Sequence, residues 1–281
     1  DSLNPLQYES VCSTEGPNLI IAGAGTGKTK VLTTRVAHII DNNLAFPSQI
    51  LCVTFTNKAA REMSERVQKL VSQNMEKMPW MGTFHSIGAK IIRNHAEVIG
   101  LKQSFTILDK DDQLSLIKQI IKAENLDQSQ FSPKLIQSKI DHWKNKALNP
   151  NDIKSESLDN LVDEKSLSIY KIYQARLFEI NCLDFGDLLL QCINLFKVPD
   201  IHKRYSNNFK YIHVDEYQDT NAAQYKWLKL LGSHHQNVCC VGDDDQSIYS
   251  WRGAEVDNML RFEKEFENAK VIRLKQNYRS T

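Results

Sequence analysis

A strand that runs into a glycine-rich turn and then a helix narrows the folds open to this chain more than any other feature. Asn18 to Ala22 is an apolar strand, and a helix follows from about Thr26 to Asp41 with Val31, Leu32, Val36, Ile39 and Ile40 on one face. Between them, Ala22-Gly23-Ala24-Gly25-Thr26-Gly27-Lys28-Thr29 fits the phosphate-binding loop, with Ala22 where the strict pattern has its first glycine. In that context the loop N–H groups and the positive end of the helix cradle phosphates. Lys28 reaches the β/γ oxygens and Thr29 holds Mg2+.

The same alternation continues. Asn4-Pro5 predicts a short N-terminal helix carrying Leu6, Gln7 and Val11, with Asn as its cap and Pro at its first position. Ile50 to Phe55 is a second buried strand, and a helix from near Lys58 carries Ala59, Met63, Val67 and Leu70. Strands alternating with helices imply a parallel sheet. From about Ile87 to Phe196 the periods turn helical, with no convincing strand, and Asn149 to Asn160 is a polar loop. Strand signals resume at Phe209 to Asp215, Val238 to Gly242 and Val271 to Leu274, with a helix over Ala222 to Leu231. The expected organisation is an α/β core in residues 1–86 and 197–281, interrupted by an all-helical subdomain in 87–196.

Composition bounds the function less tightly. Lys and Arg total 35 against 34 Asp and Glu, so a nucleic-acid site must come from local clustering and not from a basic surface. The six cysteines form no CxxC pair and sit mostly in apolar runs, as buried thiols of a cytoplasmic protein would. No apolar run is long enough to span a membrane. The first residue is Asp1 and not Met, which points to a fragment.

Two further segments carry chemistry. Tyr211-Ile212-His213-Val214-Asp215-Glu216 is an apolar strand ending in two acids, an arrangement in which the first coordinates Mg2+ and the second polarises an attacking water. Val241 to Gly253 follows another strand and combines an amide, Gln246, with two aromatics, Tyr249 and Trp251. One loop thus offers contacts to a phosphate and to bases.

Six segments together resemble the successive motifs of the UvrD/Rep/PcrA superfamily 1A DNA helicases. They are Ala22 to Thr29, Val53 to Ala60, Gly82-Thr83-Phe84-His85-Ser86, Asp215 to Asn221, Val241 to Gly253 and Gln276-Asn277-Tyr278-Arg279-Ser280, in the family's order. The resemblance implies a RecA-like P-loop domain using ATP and Mg2+. It gives Gln7 the adenine edge, Tyr278 a stack on adenine, and Lys30 the other face of the base, where relatives often carry Arg. Gln246 would sense the γ-phosphate and Arg279 would stabilise charge developing there. Single-stranded DNA would be held by Phe55, Thr56, Asn57, Phe84, His85, Tyr249, Trp251 and Arg252, since aromatics stack on any base.

The implied activity is ATP-dependent unwinding, 3′ to 5′, on single strands and their duplex junctions, with repair or replication proteins as partners. It also implies a second RecA-like domain beyond Thr281, so these 281 residues alone are expected to hydrolyse ATP slowly and not to unwind. Two other classes remain: a nucleotide-dependent DNA-binding regulatory module without motor activity, and a P-loop kinase of a small molecule, for which no acceptor site is recognisable. In the helical segment, Lys134, Lys139, Lys144 and Lys146 around Trp143 read as a solvated basic face or a contact to nucleic-acid backbone. The apolar residues of Leu183 to Leu189 read as packing.

Overall fold

The computed structural model describes residues 2–72, 75, 77–243 and 258–275. The chain divides into two compact units, one formed by Asp1–Ile87, Pro199–Asn221 and Leu228–Thr281, the other by Gly88–Val198 and Ala222–Trp227. In chain order the first unit holds α1 (Pro5–Cys12), β1 (Asn18–Ala22), α2 (Lys28–Asp41), β2 (Ile50–Thr54), α3 (Asn57–Leu70) and β3 (Met81–Thr83), and α4 (Phe84–Asn94) begins in it. The second holds β4 (Thr106–Leu108), α5 (Lys110–Ala123), α6 (Pro133–Asn145), α7 (Leu161–Glu179), β5 (Cys182–Asp184) and α8 (Asp187–Leu195). The chain then returns to the first unit with α9 (Pro199–Asn208), β6 (Tyr211–Val214), β7 (Val238–Gly242), α11 (Asn258–Glu265) and β8 (Lys270–Leu274), while α10 (Ala222–Leu231) divides between the two.

In the first unit, six parallel strands form one sheet in the order β3-β2-β6-β7-β1-β8. Every residue of β1 is buried, and Ile20 lies between Val241 of β7 and Ile272 of β8. The α2 stripe of Val31, Leu32, Val36 and Ile39 packs in the same core as Met63 and Val67 of α3. Each such side chain contributes about 1.5–3 kcal/mol by leaving water. Asn4 caps α1 as its sequence predicts, its Oδ1 accepting from Gln7 N at 2.9 Å. Five of the six cysteines are buried and only Cys12 is exposed. Among the described residues no helix is long and apolar enough to cross a membrane.

The second unit is mainly helical, with Ile117, Ile120 and Ile121 of α5, Ile136 and Ile140 of α6, and Tyr170, Tyr173 and Leu177 of α7 sharing a core. It is not all-helical, however. β4 and β5 pair in parallel, Ile107 opposite Leu183. Strands of three residues are too short to display a period of two, which is why the sequence hides them.

The expected basic face is corrected in part: Lys134 and Lys146 are exposed, but Lys139 and Lys144 are not part of a solvated face. Lys139 pairs with Asp163, and Lys144 is 1% exposed, its ammonium 2.7 Å from Asp184 Oδ2 and 3.0 Å from Asp187 Oδ1. Asp184 also accepts from Tyr173 Oη at 2.7 Å and Gln113 Nε2 at 3.3 Å, and Asp187 from Gln174 Nε2 at 3.0 Å and Gln191 Nε2 at 3.3 Å. Burial alone would depress the Lys144 ammonium, but the two carboxylates reverse this and hold it above its ordinary value. Asp184 is held low by Lys144 against its burial, whereas burial and then the charge of Asp184 push Asp187 up to about 6. Gly186 is required between the acids, because a Cβ there would lie 2.9 Å from Lys144 Cδ. Leu183 to Leu189 therefore does more than pack: it supplies the anions of a buried charge cluster.

Candidate nucleotide and nucleic-acid site

The loop after β1 turns through two left-handed glycines, Gly25 at φ +79° and Gly27 at φ +85°, so α2 starts at Lys28 and not at Thr26. Gly27 caps the helix with no side-chain bond, which leaves the first N–H groups of α2 directed into the loop. Thr26 closes the turn, its hydroxyl donating to Gly23 O at 2.7 Å. Gln7 is 2% exposed, donates from Nε2 to Thr26 O at 2.9 Å and accepts Asn4 N–H at 3.0 Å. Its amide thus braces the loop. Lys30 is exposed and donates to Ser2 O at 2.8 Å.

Parallel strands bring the chemistry to one edge. β7 lies between β1 and β6, so the loop, Asp243 and the Asp215-Glu216 pair leave the carboxyl ends of neighbouring strands, where α/β sheets collect ligands. Lys28 Nζ stands 3.6 Å from Asp243 Oδ2 and 4.0 Å from Glu216 Oε2. Asp215 is 7% exposed and accepts the backbone N–H of Glu216 at 2.9 Å. Burial first, then the charge of Glu216, push its carboxyl up to about 6. Glu216 takes a left-handed backbone, φ +50°, which costs roughly 1–2 kcal/mol outside glycine. That turn breaks the strand and leaves the carboxylate half-exposed beside Lys28.

Sequence reasoning missed two residues here. Asp243 is 2% exposed and faces Lys28. Gln218 donates to Glu216 Oε2 and accepts the N–H of Asp243 at 3.1 Å. The signal was available in part: Asp243 ends a buried strand next to the one that bears the phosphate loop.

On the same edge, β2 and β3 carry residues assigned to DNA. The rings of Phe55 and Phe84 meet at 5.2 Å. Phe55 is half-buried and Thr56 and Asn57 are exposed, but Phe84 is 1% exposed. Phe84 is thus corrected from a base contact to the support beneath Phe55. Thr56 caps α3 by accepting Ala59 N–H at 3.1 Å, and burial lowers the imidazolium pKa of His85, which favours the neutral ring. Phe84→Ala should therefore act on the fold, costing about 3–5 kcal/mol in chemical denaturation. Phe55→Ala, at a half-buried ring, should cost less than Phe84→Ala in the same measurement. Gln246, Tyr249, Trp251, Arg252, Tyr278 and Arg279 lie outside the described residues.

Residues 3–267 match the UvrD/REP helicase N-terminal domain. The chain belongs to that family. It is 52% identical over 284 residues to DNA helicase II of Rickettsia typhi, covering 100% of this chain and 43% of that protein. It is 50% identical over 280 residues to the ATP-dependent DNA helicase PcrA of Staphylococcus aureus, covering 99% of this chain and 38% of the relative. The chain thus spans about two fifths of the length of these curated relatives. The six-stranded parallel sheet is the RecA-like core of the family's N-terminal domain.

Proposed function

We propose that this chain forms the ATP-binding and part of the DNA-binding surface of a helicase that hydrolyses ATP to move 3′ to 5′ along one DNA strand. The observation that carries the reading is Lys28, held at the open N-terminus of α2 between Glu216 and Asp243. An ammonium there meets phosphate oxygens, and Glu216, one residue past the buried Asp215, is placed to take a proton from water. The site fits Mg2+: Thr29 and Asp215 would hold the ion, which supplies charge neutralisation at the phosphates. Among the described residues no group of three or more His, Cys, Asp or Glu forms a metal cage, and Mg2+ needs none, since it keeps waters and phosphate oxygens as ligands.

Gln7 would reach adenine only by exchanging its bond to the loop, and Lys30 and Tyr278 would flank the base. Gln246 and Arg279 complete the γ-phosphate contacts. Phe55, Thr56, Asn57 and His85, with Tyr249, Trp251 and Arg252, line the path of a single strand and of its junction with duplex. The helical unit is a subdomain inserted in the nucleotide-binding core, and the cytoplasm is the compartment. Repair or replication proteins are the partner class. Unwinding belongs to the whole protein, and the 281 residues by themselves are expected to turn over ATP slowly without separating strands.

ATP turnover of the whole protein, with and without single-stranded DNA, tests this. Stimulation of tenfold or more is expected. Trp251→Ala should raise the DNA concentration for half-maximal stimulation about tenfold, as loss of one base stack of roughly 1–3 kcal/mol implies. Nucleotide-dependent DNA binding without turnover would instead favour a regulatory module, and stimulation by a small acceptor would favour a kinase.

A further inference from the structure

Glu216 does not reach into the site unassisted: the side chain of Gln218, 6% exposed, joins it to the residue that follows β7. Nε2 of Gln218 donates to Glu216 Oε2, while Oε1 of the same amide accepts the backbone N–H of Asp243 at 3.1 Å. The two partners fix the amide's orientation, because turning it over would set oxygen against carboxylate and NH2 against N–H. Its surroundings leave little slack. Asn258 Nδ2 reaches Gln218 O at 3.5 Å and Thr220 O at 2.7 Å, which pins the turn that bears Gln218. A Cβ at Gly242 would lie 3.1 Å from Gln218 Oε1 and 2.8 Å from Met259 Cε, so a larger residue there would press on the Gln218 amide.

We propose that Gln218 is a positioning residue that, anchored on the backbone N–H of Asp243, orients the Glu216 carboxylate for hydrolysis. The inference rests on the hydrolytic reading given above and deepens it. An amide suits both ends, as a donor to an anion and an acceptor from a backbone N–H, and neither a carboxylate nor a thioether can do both. Asp243 adds its own constraint, because its carboxylate stands 3.6 Å from Lys28 Nζ.

The test is steady-state ATP turnover of the whole protein carrying Gln218→Met, which keeps the length and loses both hydrogen bonds, and Gln218→Glu, which keeps the shape and cannot donate when ionised. Each should lower kcat about 10- to 100-fold with KM for ATP within about threefold. A thermal midpoint matching wild type separates positioning from folding, and if one variant fails to fold the other decides. Wild-type-like kcat in a folded variant would overturn the proposal alone. A rise in KM that tracks a lost midpoint would reduce Gln218 to a structural part and overturn it too. Absence of turnover in the wild-type protein would overturn the hydrolytic reading and the proposal with it.

Discussion

Glu216→Gln is expected to lower ATP turnover at least about a hundredfold while Mg·ATP binding stays within a few-fold of wild type. The side chain keeps its length but loses its charge and its capacity to accept a proton, so the effect should fall on kcat. Lys28 stands 4.0 Å from Glu216 and 3.6 Å from Asp243, so the ammonium keeps an anionic neighbour and its place when Glu216 becomes neutral. Fluorescent-nucleotide titration beside a phosphate-release assay checks both halves. Turnover within tenfold of wild type would remove Glu216 from the proton-accepting role. The amide would also present a second NH2-bearing group to Gln218 in place of an anion, which weakens that bond and adds to the loss.

The second large effect lies in the helical unit. Lys144→Met should destabilise it by about 3–5 kcal/mol, because Asp184 and Asp187 would remain buried without their cation. The sign of the pH dependence follows from Asp187, pushed up to about 6 in the folded protein against about 3.9 for an ordinary Asp. The native state binds more protons than the unfolded state between those values, so this group's contribution falls as pH rises through that window. Without Lys144 both acids are driven further up. The defect should therefore be greatest at pH 7 and above and shrink towards pH 5, as urea unfolding at a series of pH values would record. Adding Asp184→Asn and Asp187→Asn to Lys144→Met should recover part of the loss. A single variant with wild-type stability at pH 7 would contradict the cluster.

Where a local pattern dictates structure, the chain was legible. The Asn4-Pro5 helix start, the glycine loop and the buried strands of the core need only near neighbours to be recognised. Chemistry that depends on distant partners was not. Lys144 looks like a surface lysine until Asp184 and Asp187, about forty residues on, are brought beneath it. Two acids set among Leu183, Leu188 and Leu189 were the available warning, since charges in an apolar run need a counterion. Gln218 lies within the segment Asp215 to Asn221, yet its bond to Asp243 crosses 25 positions and only the sheet order explains it. Phe84 shows the converse: an aromatic in a DNA-associated motif whose ring belongs to the core.

The position of β1 carries a consequence for how the protein is made. Its sheet neighbours are β7 and β8, whose first residues are Val238 and Lys270. At a synthesis rate of about 5–20 residues per second, the phosphate loop emerges on the order of ten seconds or more before any strand exists to pair with the one beneath it. Nascent β1 and its loop must wait, apolar and unpaired, while the whole helical unit is translated. A ribosome stalled before β7 would hold β1 with neither of its sheet neighbours, a long substrate for chaperones.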